Sequence, residues 1–478
     1  MPLTTHLSQP RRGETSSPHA GKSFWLADYG AYNASASLRG AKTCDVLVVG
    51  GGIAGLSTAW HLAKDSSTRV ILIESEIIGF GASGRAAGWI MPQFGMDQLK
   101  IRARYGFERS QAALTYGLEA VSYTGQIISD HGIKSDYRRP GLMRVAFDDS
   151  WINDLAALYK NYDDLGLKGL HWSEGQELHQ QYNGNTNFKA AIVDPNLGLL
   201  NPCKQVRGLK ELAESVGVSI FENSPAVHID HSGGHISVAT PAGCVATEKI
   251  VLATNAFTHL LQGPLGAELK RVQAPVRALA AVTEPLSQNQ WQSIGWNRGN
   301  AIESSLDLFH YLSPTADGRI LFFFIYFGGH PKHGSMDGIH NYRGSQVSLD
   351  HVKRIFPALD GIRLAEHWGG HMSATRDLVP HLTHIGDERV IYIGGCWGHG
   401  LALSHLHGKT AAHLLLGKQS SLTDFWFINR KPVKWPRYPI DAIGKQLAWA
   451  HLRRQTSARL KKTIFDSRSA MEAQKTHE

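Results

Sequence analysis

The chain has too few cysteines for a disulfide framework and no apolar run long enough to cross a bilayer. Its four cysteines, Cys44, Cys203, Cys244 and Cys396, are scattered and form no CxxC pair. That spacing excludes a stapled scaffold or a zinc site and fits a reducing, cytoplasmic setting. No apolar stretch approaches the roughly twenty residues that span hydrocarbon. The first 22 residues are polar, with no apolar centre of a secretory signal. They read as a disordered extension, or as an organelle leader carrying Arg11 and Arg12. Internal repeats and low-complexity tracts are also missing.

Acidic charge is scarce only at one end. The formal net charge is +8, but Arg430 to Lys462 holds ten Lys and Arg against the single acid Asp441. Of 49 basic and 41 acidic residues, that leaves 39 and 40, so the body is close to neutral. No recognition helix, zinc finger or RNP-like pattern accompanies the excess, which excludes a nucleic-acid binder. The tail mixes its cations with Ile440, Ile443, Leu447, Trp449 and Leu452. It could rest weakly on a membrane surface, or pack on the protein or an oligomer partner.

What is present is length and glycine. The 478 residues, 42% hydrophobic and 19% charged, can bury a large core in two interleaved domains. The organising stretch is Asp45 to Glu74. The buried-strand run Val46 to Val49 enters the glycine turn Gly50-Gly51-Gly52-Ile53-Ala54-Gly55, which opens a helix to about Ala63. A second strand, Val70 to Ile73, ends on Glu74. Gly50 permits the turn, Gly52 lets backbone approach a pyrophosphate, and Gly55 lets the helix pack on the sheet. The helix N-terminus faces phosphate, and an acid about twenty residues on can accept from ribose hydroxyls. One unit carrying all five pieces is a dinucleotide site.

Further along, Gly79 to Trp89 crowds small residues around Ser83 and Arg85. Backbone here approaches something closely, with Ser83 donating to a phosphate and Arg85 adding charge or clamping a neighbouring loop; a flexible surface loop is the alternative. Ser23 to Leu26 is expected as an extended aromatic arm, and Met96 to His131 as a helix. Strand formers dominate Arg271 to Tyr326, above all Ile320 to Tyr326, as in the wall of a substrate domain. Near the end, the strand Val390 to Ile393 runs through Gly394-Gly395-Cys396-Trp397-Gly398-His399-Gly400-Leu401 into a helix to Leu416. This second strand, glycine turn and helix offers another helix N-terminus to an electron-rich group.

Taken together, GGGIAGLSTAWHLA with Glu74, GFGASGRAAGWI, LGLLNPCKQVRGL, KIVLATNAFT, WGGHMSATRDLVPHL and GGCWGHGLALSHLHGKTAA resemble the flavin-dependent oxidoreductases of the D-amino-acid oxidase superfamily. The resemblance is to their gamma-glutamylputrescine oxidoreductase type. It implies an α/β fold: a Rossmann-like FAD-binding domain of the GR2 flavoprotein kind, with a second α+β substrate domain on a mostly antiparallel sheet. The expected cofactor domain is discontinuous, residues 41–120, 193–272 and 362–418. The substrate domain is 121–192 and 273–361, with an N-terminal arm, 1–40, and a basic extension, 419–478.

FAD is the cofactor implied. Gly50, Gly52, Ile53, Ala54 and Gly55 would face its pyrophosphate, Glu74 and Ser75 its ribose, and Ala226 its adenine. Ala82 and Ser83 would line the phosphates and ribityl chain. Arg85, Ala87, Gly88 and Trp89 would approach the isoalloxazine, with Gly395, Gly398, His399, Gly400 and Leu401 beside the ring. Two departures stand out. The family's Asn is lost in Gly84-Arg85-Ala86-Ala87-Gly88, and Met372 and Gly398 stand where the amino-acid-oxidising branch places Arg or polar groups.

The implied chemistry is hydride transfer from a carbon bearing nitrogen to flavin N5, giving an imine that water hydrolyses. The expected partners are a small-molecule amine or amino-acid-derived substrate, and O2 or another electron acceptor. His399 is the catalytic candidate, though hydrogen bonds could equally hold it as a positioning residue. Trp89 and Trp397 could wall the substrate or pack the core, and Cys396 could carry a thioether to flavin or be a small buried residue. The rivals are a 2-hydroxy acid dehydrogenase or monooxygenase, and a flavin-binding protein without turnover.

Overall fold

In this computed structural model the described residues are 22–437, apart from 65–66, 148, 182–187, 297, 305–309, 327–348 and 354, with scattered positions to 450. The polar lead, His330, His333 and most of the basic tail lie outside them. Ile440, Ile443 and Leu447 are described and exposed.

Two eight-stranded sheets make the frame. The strands of the first are β1 (Gly40–Val49), β2 (Val70–Ile73), β8 (Ser219–Phe221), β9 (His228–Asp230), β10 (Ile236–Thr240), β11 (Gly243–Leu252), β17 (His381–Ile385) and β18 (Asp387–Gly394). Its spine runs β17-β18-β11-β1-β2-β8. The β18-β11-β1-β2-β8 part is parallel. Parallel strands buried on both faces read as unbroken apolar runs, and Leu47 and Val48 are fully buried. Helices Ile53–Lys64, Phe107–Asp130, Pro202–Ser215 and Gly400–Leu415 supply the apolar side chains that pack on one face.

The second sheet holds β4 (Leu142–Ala146), β5 (His171–Glu174), β6 (Ala190–Asp194), β12 (Ala274–Thr283), β13 (Ala301–Ser304), β14 (His310–Pro314), β15 (Ile320–Tyr326) and β16 (Leu364–Ala374). The order is β16-β12-β15-β14-β13-β4-β6-β5. Every pairing is antiparallel except β13 with β4. The expected α/β architecture with a mostly antiparallel second sheet is what the chain adopts. A short pair, β3 (Trp89–Ile90) with β7 (Gly198–Leu199), completes the strands.

Three local expectations change. Ser23 to Leu26 is not an extended arm but the start of a helix, Phe24–Tyr29, with the Ser23 hydroxyl accepting from Leu26 N–H at 3.2 Å. Phe24, Trp25 and Leu26 are buried, because the helix lays its aromatic side on the body. Met96 to His131 is two helices, Gln98–Tyr105 and Phe107–Asp130, broken where Gly106 takes φ +84°. The strand β16 belongs to the second sheet, across the boundary drawn at residue 362.

None of the described helices is long and apolar enough to cross a membrane. Three histidines are buried on the helices, and His407 also stands at the cavity wall described below. Burial pulls their pKa values down from 6.5: His61 to about 2, His405 to about 4 and His407 to about 3. Unfolded, each takes a proton near its ordinary value, so between that value and the folded one the unfolded chain binds more protons. Stability is therefore full above about pH 6.5 and falls with acidification, by up to about 1.4 kcal/mol per pH unit for each histidine. Thermal melts should show Tm dropping from about pH 7 to about pH 5, and less steeply in His407→Gln. A Tm flat across that window would contradict it.

Candidate active site

The first glycine turn is held too tightly for side chains. Gly50 has φ +115°, and a Cβ on it would lie 2.6 Å from Ala253 O at the end of β11. A Cβ on Gly55 would lie 1.9 Å from Gly50 O, so the helix presses directly on the turn. Gly51 N–H donates to Glu74 Oε2 at 2.7 Å, while Oε1 accepts from Ser75 Oγ and Glu76 N–H, both at 3.0 Å. Burial raises the Glu74 pKa, and these donors oppose it. The carboxylate thus fixes the turn while standing at the cavity wall with Ser75 and Ala226. The first turn of a helix leaves N–H groups without intrahelical partners. Here Ile53 N–H reaches Ser83 Oγ at 3.1 Å, beside a wall of Gly50, Gly52 and Ala54.

The Gly79–Trp89 segment is no flexible loop. Ser23 Oγ donates to Gly84 O at 2.9 Å, Trp25 Nε1 to Ala86 O at 2.8 Å and Trp368 Nε1 to Arg85 O at 2.9 Å. Arg85 is buried, lies 4.6 Å from the Phe80 ring centroid and donates to Phe80 O at 2.7 Å. Its Nη1 donates to Gly369 O of β16 at 3.0 Å. Of the two roles open to Arg85, these bonds describe a clamp joining the loop to the second sheet.

The second glycine turn meets the same cavity. Gly395 has φ +80°, with room for no Cβ beside Thr375 Cγ2 at 2.2 Å. Its N–H donates to Ser373 Oγ at 2.7 Å, and that hydroxyl donates to the Asn255 side chain. Trp397 Nε1 donates to Thr375 Oγ1 at 3.0 Å, so this tryptophan both packs and lines the cavity. His399 Nδ1 donates to Gly95 O at 2.8 Å. Burial pulls its pKa down to about 4, so the ring is neutral and Nε2 keeps its lone pair. A Cβ on Gly398 would lie 2.8 Å from Met372 Sδ, so the two positions without Arg adjoin one another. Burial raises the Cys396 thiol pKa, which disfavours the thiolate.

The second sheet closes the cavity with Ala278, Ala280, Tyr311 and Phe323. Trp89 stands edge-on to Tyr311 at 4.9 Å, Tyr311 lies 5.5 Å from Phe323, and Trp89 Nε1 donates to Ser313 Oγ at 3.2 Å. Of the expected cofactor residues, Gly50, Gly52, Ile53, Ala54, Glu74, Ser75, Ala82, Ser83, Arg85, Ala87, Trp89, Ala226, Gly398, His399, Gly400 and Leu401 line this one cavity. Gly55, Gly88 and Gly395 do not; each is glycine because backbone or a side chain occupies its Cβ position. Tyr311, Phe323, Met91 and Ala278 were missed by sequence reasoning, since nothing in a run of strand formers says which face it presents. A long cradle with two helix N-termini at its wall and glycines where side chains would intrude fits a flavin dinucleotide.

Comparison with known proteins agrees with that fit. Residues 45–414 match the family described as DAO, FAD dependent oxidoreductase. Gamma-glutamylputrescine oxidoreductase of Escherichia coli is 28% identical over 425 residues, 88% of this chain and 96% of its own. A probable oxidoreductase, OrdL, of Haemophilus influenzae is 28% identical, covering 80% of this chain and 85% of its own. The crystal structure of glycine oxidase from Geobacillus kaustophilus superposes with TM-score 0.68 at 20% identity, covering 82% of this chain and all of that one. Gly50→Ala would force a left-handed φ and meet Ala253 O, costing roughly 1–2 kcal/mol. The variant should purify with about tenfold less flavin per protein by visible absorbance; unchanged flavin content would contradict the packing.

Proposed function

The chain belongs to the DAO family of FAD-dependent oxidoreductases, and on that premise we propose that it oxidises a carbon–nitrogen bond in an amine or amino-acid derivative. In this reading the turn Gly50 to Gly55 and the helix behind it take the FAD pyrophosphate. Glu74 and Ser75 take the ribose, Ala226 the adenine, and Ala82 and Ser83 the phosphates and ribityl chain. Arg85 to Trp89 and Gly398 to Leu401 lie on the ring side. FAD, when bound, supplies the two-electron acceptor that takes a hydride from the carbon bearing nitrogen.

The observation carrying the reading is the pairing of Met372 with Gly398 at the cavity wall, beside a neutral His399. With an apolar thioether there, and with Arg85 turned to backbone carbonyls, no guanidinium among the described residues is placed at Met372 and Gly398 to grip an α-carboxylate, so the substrate class is an amine or a derivative whose carboxylate is remote. A 2-hydroxy acid would need the same grip, which weighs against that rival. The E. coli relative is named for gamma-glutamylputrescine, and its name falls within the class proposed.

The chain's own work is positioning. An alkylammonium has no lone pair on nitrogen to assist loss of hydride from the neighbouring carbon, so the amine must react neutral. His399, tied through Nδ1 to Gly95 O, presents an unprotonated Nε2 at ordinary pH and is the group we assign to accept a hydrogen bond from the neutral amine and so orient its lone pair. The walls of Trp89, Tyr311 and Phe323 give the reacting carbon an apolar, aromatic surrounding. Water then hydrolyses it to a carbonyl compound and ammonia or an amine. O2 or another acceptor takes the electrons onward.

Anaerobic mixing with panels of amines, amino acids and hydroxy acids tests the reading. Amines should bleach the flavin absorbance, whereas bleaching by hydroxy acids alone would overturn it, and bleaching by no donor would favour a flavin-binding protein without turnover. His399→Leu should keep the flavin spectrum and lose about a hundredfold in kcat/KM. Since His399 titrates near 4, kcat/KM should rise with pH along the substrate's own amine pKa. Replacing the substrate by a less basic amine should move that limb; a limb fixed near 6.5, the ordinary histidine value, would contradict the assignment.

A further inference from the structure

A row of side chains crosses one face of the second sheet. The strand register opposes Trp368 to Ala280, Ala280 to Phe323, Phe323 to Tyr311, Tyr311 to Glu303 and Glu303 to Arg144. Opposed residues on neighbouring strands share a face, with Cβ atoms roughly 4.5–5.5 Å apart. The row therefore leads from the cavity wall at Phe323 and Tyr311 to a charged pair on the adjoining strands, which lies behind that wall.

The pair is not balanced. Arg144 Nε meets Glu303 Oε2 at 2.9 Å, and Arg144 Nη1 meets Asp194 Oδ2 at 3.3 Å. Asp194 is further served by the backbone and side-chain N–H of Asn196, both at 2.9 Å. Glu303 is met by Arg144 through one oxygen, and its side chain keeps 13% of its surface open. Burial raises the Glu303 pKa, and the Arg144 charge opposes that shift. One guanidinium thus serves two carboxylates, one strand over from the aromatic cavity wall. Buried charge left uncompensated is costly, and a further cation relieves it.

We propose that Glu303 makes the cavity selective for a substrate carrying a second, cationic nitrogen remote from the reacting carbon, an α,ω-diamine or polyamine-like amine. The inference rests on the carbon–nitrogen oxidation reading and names its substrate class. The methylene chain lies against Tyr311, Phe323 and Trp89, whose ring faces also attract an ammonium. Arg85, which also lines the cavity, directs Nε and Nη1 to Phe80 O and Gly369 O, away from the Tyr311 and Phe323 rings. Glu303 is a specificity residue here, and the reacting amine remains with His399.

The test is equilibrium binding to the dithionite-reduced holoenzyme under anaerobic conditions, where no hydride can be accepted, measured by titration calorimetry with cadaverine, n-pentylamine and δ-aminovalerate as probes. Cadaverine should bind about tenfold or more tighter than n-pentylamine, and δ-aminovalerate more weakly than either. In Glu303→Gln the cadaverine preference should fall toward one, while Glu303→Asp keeps part of it. Equal affinities for cadaverine and n-pentylamine in the unaltered protein would overturn the proposal, even if the variants fail to fold. So would an unchanged ratio in Glu303→Gln. Because no turnover is needed, failure of every amine to bleach the flavin would sink the oxidation reading without touching this ratio.

Discussion

The structure depends on how closely two helices approach. Ile53–Lys64 and Gly400–Leu415 each follow a strand and a glycine turn, and they pack in direct contact. A Cβ on Gly408 would lie 2.5 Å from Ser57 Cβ and 2.7 Å from Thr58 N, and Ser57 Oγ donates to His405 O at 2.7 Å. That contact brings the Gly50 and Gly398 turns to one cavity, although more than three hundred residues separate them. With a side chain at 408 the helices would part and the two N-termini would address different places.

The rest of the cavity follows from that approach. β18 lies parallel beside β11 and β11 parallel beside β1 in the first sheet, so both glycine turns stand at the carboxyl ends of their strands. Ligands of open α/β sheets bind at such ends. The second sheet then closes the other side, and Arg85 ties it to the Gly79–Trp89 segment through Gly369 O. Charge is distributed along this cradle with a purpose. The Ile53–Lys64 N-terminus stands with the Glu74 turn, while the Gly400–Leu415 N-terminus stands with a neutral His399 and an arginine-free Met372 and Gly398.

Much of the cofactor side was legible in the sequence because its physics is local. A glycine that must take φ +115° and an acid at the end of the next strand are fixed by neighbours in the chain. The clamp role of Arg85 was legible only as one of two alternatives, since its acceptor Gly369 O comes from a distant strand. The substrate side was hidden for a different reason. Ile320 to Tyr326 reads as a strand, yet which of its side chains face the cavity depends on pairing with β12 and β14. Gly369 and Gly370 interrupt the pattern of β16, so it did not read as a strand, though it pairs with β12 almost throughout. Ser23 is a helix cap only because the six-residue helix after it packs its aromatic side chains on the body.

The central claim is that the two glycine turns and the second sheet enclose one flavin and one amine. The most direct measurement is a crystal structure of the holoprotein soaked anaerobically with cadaverine. The account predicts the isoalloxazine between the Gly398–Leu401 turn and the Trp89–Tyr311–Phe323 wall, with one nitrogen near His399 and the other toward Glu303. A flavin ring outside that wall, or a diamine bound away from it, would contradict the account.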